Sequence, residues 1–494
     1  MSDRGGLMVV GATSGAGKST LTAALCRSLA RTGRRVAPFK AQNMSNHAAV
    51  TADGGEVGRA QAMQALAAGV PIERRMNPIL LKPASELRSH LVVMGEEISV
   101  TDAADYGKIT AGLRDTVLEA LGSLRDDHEW VVAEGAGGAA EINLLDRDLV
   151  NLPLARAAEL PAVLVVDIER GGAFASAHGT VDLLPPELRS TIRGIVFNQF
   201  RGDPSLLSPG IAALEERTGV PYLGTLPHLG RLRMLGVEDS LDIRPDLDAE
   251  HPSERPLRVV AIRLPHLANP SDVDPLVVEP DVAFRWTTHA DEVATADLII
   301  LPGSRATVAD LAWLRQTGFD RAIATTPATV VGICAGFQMM GRMIHDDVES
   351  GSGTVAGLGM LDVETTFEHP KLVRQRVATA GDHEVCGYDI RFGRPSAGKV
   401  PWFDGATVEP EGAVSPDGRR MGTSLHGLFD ANDFRRAFLG TVAERHGRSF
   451  SPHPQAWADQ LDHYHDTLAD WAEQHLDLDR LIAIGRDAGP GTGW

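Results

Sequence analysis

A chain of 494 residues with 43% apolar side chains exceeds the size at which one hydrophobic core stops growing, so two domains are expected. Its 47 basic against 66 acidic side chains leave a formal charge of −19, which repels nucleic acid and anionic membranes and makes a small-molecule substrate the expectation. Cys26, Cys334 and Cys386 are too few and too scattered for a disulfide framework or a CxxC metal site. The opening MSDRGGLMVVGATSG lacks a basic leader with a long apolar stretch, and no run of about 18 apolar residues follows; the sequence reads as soluble and cytoplasmic.

The first half alternates short β-rich runs with helical stretches: LMVV at 7–10, WVVA at 130–133, AVLVVDI at 162–168 and IRGIVF at 192–197. Such alternation predicts a mainly parallel sheet covered by helices, an α/β domain. The first run leads into VVGATSGAGKST at 9–20, a strand, a glycine-rich turn and an amphipathic helix from about Ser19. Consecutive backbone N–H groups and a helix N-terminus hold polyphosphate, while a lysine reaches the outer phosphates and a hydroxyl can ligate magnesium. The nucleotide-binding candidates are therefore Gly11, Thr13, Gly15, Gly17, Lys18, Ser19 and Thr20. The usual GxxxxGK[ST] spacing asks for glycine where Ala12 stands, with Gly11 one place earlier, so this is a longer-loop variant.

The polar, proline-bearing stretch EDSLDIRPDLDAEHPSERP at 238–256 reads as a linker. It divides a P-loop parallel-sheet domain at 1–237 from a second domain at 257–445, where the alternation restarts with RVVAI at 258–262, LIIL at 298–301 and TVVGI at 329–333. TVVGICAGFQMMGRMI at 329–344 sets Cys334 between an apolar strand and a helix, with Gly332 and Gly336 two places to either side. That pattern permits the sharp turn that exposes a nucleophile, and the helix N-terminus favours a thiolate. Cys26 and Cys386 lack it and read as packing residues. Residues 446–494, rich in His, Asp and Trp, read as a helical extension whose role no motif announces.

GATSGAGKS, PFKAQNMS at 38–45 and VAEGAGG at 132–138 resemble the dethiobiotin synthetase superfamily and its cobyric acid synthase branch. The resemblance implies activation of a carboxylate as a phosphoryl derivative, with ATP and magnesium, and an acidic residue at a strand's C-terminal end beside the phosphates. Glu134 thereby joins Ser19 as a candidate metal ligand, with Asp53 in TADGGEVGRAQAMQA a third. The ordinary alternatives are a loop carboxylate capping a glycine-rich turn for Glu134 and a plain turn residue for Asp53; Lys40 faces either phosphate or solvent. Downstream, the order of Cys334 and GTSLHGLFD at 422–430 resembles the class I glutamine amidotransferases. That resemblance implies His426, in a short β-like segment, as the base. It also implies an oxyanion loop in LPGSRATVADL at 301–311, with backbone N–H groups at Gly303 and Ala335. Many of that class carry an acid two places after the histidine, where Leu428 stands here; the cobyric acid and cobyrinic acid a,c-diamide synthase branch lacks that acid as well. Either Cys334 and His426 act as a dyad or another group orients the imidazole.

Further segments of the resemblance, among them MNPILLKPASE, VDIERGGAFAS, RLPHLANPSDVDPL and CGYDIRFGRP, run over most of the chain. They imply ATP-dependent amidation of the b, d, e and g carboxylates of adenosylcobyrinic acid a,c-diamide. Glutamine is then the nitrogen donor, and the corrinoid is a substrate rather than a prosthetic group. The rival readings are an a,c-diamide synthase, an amidoligase with another acceptor such as a cell-wall carboxylate, and a regulatory ATPase without glutaminase chemistry. KAQNMS speaks against the first, and the presence of both Cys334 and His426 against the last. No corrinoid-binding motif is readable, and a homo-oligomer is compatible with the chain.

Overall fold

The computed structural model describes residues 4–83, 88–230, 254–396, 398–403, 411–489 and 491–494. Two compact units emerge, neither of them contiguous in sequence: Met1–Ser45, Gly55–Ser240 and Leu461–Trp494 form the first, Asn46–Gly54 and Leu241–Gln460 the second. The expected division at 237 and 257 treats each domain as one stretch, whereas the packing gives nine early residues to the second unit and the tail from Leu461 to the first. Most of the expected linker, 238–253, lies outside the described residues.

The first unit is built on strands β1 (Gly5–Gly11), β2 (Val36–Phe39), β3 (Trp130–Glu134), β4 (Ala162–Asp167), β5 (Ile192–Phe200) and β6 (Tyr222–Pro227). They lie in the order β6-β5-β4-β1-β3-β2, and every neighbouring pair is parallel. Their near-continuous apolar runs follow from burial on both faces, since a parallel sheet carries helices on each side. Met8, Val10, Val131, Ala133, Leu164 and Phe197 point into one large core. The connections from β1 and β3 leave in opposite directions, which opens a crevice at the strands' carboxyl ends where ligands of such sheets bind.

The tail completes this unit. Helix Trp457–His475 lays Asp466 and Asp470 against Arg27 and Arg31 of helix α1 (Lys18–Arg31) at 2.8 and 2.6 Å. Trp471 Nε1 donates to Pro227 O at 3.0 Å, and Asp477 N–H donates to Leu223 O at 2.9 Å. Tail residues thus take up the outer edge of β6, where unpaired backbone groups would otherwise invite aggregation.

In the second unit, β7 (Leu257–Ile262), β8 (Val282–Thr287), β9 (Leu298–Leu301), β10 (Thr329–Ile333), β11 (Ala413–Val414) and β12 (Arg420–Thr423) are ordered β8-β7-β9-β10-β12-β11. Only the short β11 runs antiparallel. Period-two alternation sends Val259, Ala261, Leu298 and Ile300 into one core and Val260, Ile262, Ile299 and Leu301 into the other. A long antiparallel hairpin, Glu364–Ala380 with His383–Pro395, stands beside the sheet; nothing in the sequence reading anticipates it. Cys386 lies exposed on it, which corrects its reading as a packing residue, while Cys26 is buried.

Among the described residues no helix is long and apolar enough to cross a membrane.

Candidate functional site

Two clusters of polar side chains form, one in each unit at the carboxyl ends of its strands. In the first unit the chain leaves β1 at Gly11, turns through residues 12–17 and enters α1 at Lys18. Gly17 closes the turn at φ 89, a left-handed conformation open to glycine, and a Cβ there would stand 2.1 Å from Asn198 Nδ2. The first intrahelical bond is Leu21 N–H to Gly17 O at 3.1 Å, so the N–H groups of Lys18, Ser19 and Thr20 have no intrahelical acceptor. Thr13 and Gly15 are exposed. Lys18 is buried, and its ammonium donates to Thr13 O at 3.2 Å and Gly137 O at 3.0 Å, which holds a positive charge over the turn.

Parallel pairing of β1 with β3 sets Glu134 opposite Val9. The Glu134 side chain is fully buried and accepts from Ser19 Oγ at 2.8 Å, Lys40 Nζ at 2.8 Å and Gln64 Nε2 at 2.6 Å. Burial alone would raise its pKa; the adjacent Lys40 ammonium and the three hydrogen bonds outweigh burial and hold it below the usual carboxylate range. The sequence candidates Ser19 and Glu134 therefore meet. Lys40, left open between phosphate and solvent, is buried on Glu134, and Gln64 went unnoticed inside GRAQAMQA. Asp53, the third candidate, belongs by packing to the Asn46–Gly54 segment of the second unit, where it is exposed and accepts from the Thr51 hydroxyl.

In the second unit Cys334 links β10 to the short helix Ala335–Met340 with φ 52 and ψ −109, an unusual conformation for a residue with a Cβ. Its N–H donates to Thr423 O at 2.8 Å, tying the turn to β12. A Cβ on Gly336 would lie 1.9 Å from Leu301 O, so only glycine lets this helix approach β9. Ala335 opens the helix, and its N–H is free of intrahelical bonding. Gly303, paired with Ala268 in a two-residue ladder, is also close: a Cβ built on it would stand 3.2 Å from His426 Cε1 and 3.8 Å from Cys334 Cβ. Cys334, His426, Gly303 and Ala335 are thus gathered at one place.

His426 lies just beyond β12 rather than in a strand. One bridge holds it: its N–H donates to Tyr388 O at 2.9 Å and its carbonyl accepts from Tyr388 N–H at 3.1 Å. The two rings stack at 5.2 Å. The group that orients the imidazole is Asp272. Its Oδ2 lies 2.7 Å from His426 Nδ1, and its Oδ1 accepts from Gly427 N–H at 2.9 Å. Burial disfavours the imidazolium, yet Asp272 and the Cys334 sulfur outweigh burial and raise the His426 pKa well above its ordinary value. Cysteine, imidazole and carboxylate in this order can form a thiolate–imidazolium pair and pass a proton to a leaving group. Asp272 sits in RLPHLANPSDVDPL, but its 154-residue separation from His426 carries no spacing signal.

Residues 7–238 match the family of CobQ/CobB/MinD/ParA nucleotide binding domains, and residues 258–434 match the CobB/CobQ-like glutamine amidotransferase domain. The chain is 47% identical to a cobyric acid synthase of Nocardia farcinica over 99% of its own length and 98% of that protein's. It is 48% identical to one from Frankia casuarinae, with 98% of each chain covered. A Klebsiella pneumoniae cobyric acid synthase is 41% identical, with 97% of this chain and 98% of that one covered. With both domains matched in order and relatives aligned end to end, the chain belongs to the cobyric acid synthase family.

Proposed function

We propose that this protein carries out the ATP- and glutamine-dependent amidation of adenosylcobyrinic acid a,c-diamide at its b, d, e and g carboxylates, a step of cobalamin biosynthesis. The observation that carries the reading is 47% identity along 99% of the chain to a cobyric acid synthase, in a molecule that gathers both a nucleotide-type phosphate loop and a Cys–His–Asp constellation.

In the second unit the Cys334 thiolate attacks the side-chain carbonyl of glutamine. The Ala335 N–H, with an N–H at Gly303, stabilises the oxyanion, and His426, protonated and steadied by Asp272, gives its proton to departing ammonia. Water then hydrolyses the thioester, with His426 as base. In the first unit a corrinoid carboxylate attacks the outer phosphoryl group of ATP, expelling ADP and forming an acyl phosphate. Lys18 and the N–H groups of the first turn of α1 hold the phosphates as charge redistributes. Ammonia displaces phosphate from the acyl phosphate, giving the amide.

The donor set suits magnesium: a hydroxyl and a charged carboxylate, hard oxygen ligands, meet at 2.8 Å. Among the described residues no group of three His, Cys, Asp or Glu could hold a metal. Ser19 and Glu134 would supply protein ligands, and phosphate oxygens and water the remainder. The ion, when bound, neutralises charge on the transferring phosphate. Supplying ammonia from a site on the same chain raises its effective concentration at the acyl phosphate before it is protonated in bulk water.

The test is incubation with the adenosylated a,c-diamide, ATP, magnesium and glutamine, followed by mass. Partly amidated species should rise and fall before cobyric acid accumulates, and ATP consumed should track amides formed. No mass change would overturn the reading; amidation of cobyrinic acid at its a and c carboxylates would hand the chain to the a,c-diamide synthases.

A further inference from the structure

Residues Asn46–Gly54 come from the sequence of the nucleotide-binding half yet pack within the second unit, and neither the fold nor the chemistry derived so far gives them a task. Their contacts are specific. Ala48 N–H donates to Asn269 Oδ1 at 3.0 Å, Gln375 Nε2 donates to Val50 O at 3.1 Å, and Tyr388 OH donates to Ala48 O at 3.4 Å. Tyr388 is the residue stacked on His426, and Asn269 immediately precedes the turn Pro270–Val273 that carries Asp272.

Asn269 is buried and sits at φ 50, ψ 54, the left-handed region that residues with a Cβ avoid and asparagine tolerates best. Its carbonyl accepts from Asp272 N–H at 3.2 Å, so its backbone sets the turn. Such a conformation persists where surrounding bonds over-determine it, and here the side-chain bond to Ala48 supplies one of them. Asp272 must spend both carboxylate oxygens on His426 and Gly427, a geometry that a small rotation of the turn would spoil.

We propose that Asn269, anchored through its side chain on the Ala48 N–H, is a positioning residue of the glutaminase site: it holds the left-handed turn that aims Asp272 at His426. Residues 46–54 are then a working part of that site. The inference rests on the Cys334/His426 reading above.

In the full chain, Asn269→Gly keeps the left-handed backbone accessible and deletes the anchor, whereas Asn269→Asp keeps an acceptor of the same shape. Glutamine hydrolysis by Asn269→Gly should fall about tenfold or more in kcat, as a misaimed catalytic group costs, while KM for glutamine stays within about twofold; Asn269→Asp should recover most of the rate. Ala48→Pro, which removes the same N–H, should reproduce the loss, and combining it with Asn269→Gly should add little. Should Asn269→Gly melt below the assay temperature, Ala48→Pro carries the test. A kcat at the wild-type level in Asn269→Gly and Ala48→Pro, or an Asn269→Asp variant as slow as Asn269→Gly, would overturn the proposal. Cys334→Ser measured alongside separates the two failures: glutamine hydrolysis surviving there removes the nucleophile reading, whereas a dead Cys334→Ser beside a fast Asn269→Gly removes only the positioning role.

Discussion

The Asp272 carboxylate counters the desolvation that burial imposes on the His426 imidazolium. Desolvation alone would drive His426 towards neutrality, and the raised pKa means that Asp272 and Cys334 win. A histidine whose folded pKa exceeds its unfolded value binds more protons when folded. Its stabilisation is therefore complete below about 6.5, the ordinary value, and fades as pH rises through the folded one. Asp272→Asn keeps the shape but deletes the charge. The expected outcome is a fall in glutamine-dependent kcat of about 100-fold or more, together with a melting-temperature deficit against wild type that is largest near and below the ordinary histidine pKa of 6.5 and shrinks as pH rises. Both are read by a glutaminase assay and by thermal melts across pH. A deficit that does not change with pH would show that charge is not what Asp272 contributes.

At the scale of elements, the tail shows how sequence position and packing part company. Helix Trp457–His475 places carboxylates at helical spacing along the arginines of α1, but these pairs are largely solvated and each contributes little, about 0–1 kcal/mol. Apolar burial holds the tail more firmly: Leu468, Ala469, Trp471, Ala472, Leu476, Leu481 and Ile484 are all buried. Trp471→Ala removes a large buried ring and the donor to Pro227 O, and should cost about 3–5 kcal/mol in urea unfolding. A loss below about 1 kcal/mol, the range of an ordinary surface substitution, would mean that the tail is not integral to the first unit.

Taken as a whole, the molecule separates making ammonia from using it, and two substitutions report on that division. Cys334→Ser should abolish glutamine-driven turnover and leave ammonia-driven amidation largely intact, because a serine hydroxyl is a far weaker nucleophile. Lys18→Ala should lose amidation from either nitrogen source by about 10²-fold or more, since it strips charge stabilisation from the transferring phosphoryl group, and should spare basal glutamine hydrolysis. Both are checked by product mass with glutamine or ammonium as donor. Wild-type amidation with ammonia in Lys18→Ala would contradict the phosphate-loop assignment.

The α/β character of both halves was legible in the sequence because buried parallel strands leave continuous apolar runs, and the turns that follow β1 and β10 were legible because phosphate loops and nucleophile turns need particular residues at fixed local offsets. Those signals extend over a few positions. The groups around Glu134 and His426 do not: Lys40 and Gln64 lie 94 and 70 residues from Glu134, and Asp272 lies 154 from His426. A buried charge must find its partners wherever the fold delivers them, so nothing near it in sequence reveals which they are. The same holds for Asn46–Gly54 and for the tail, each of which joins a unit that its neighbours in sequence do not. Local chemistry was written along the chain, whereas the partners that set its charge states were decided only by tertiary packing.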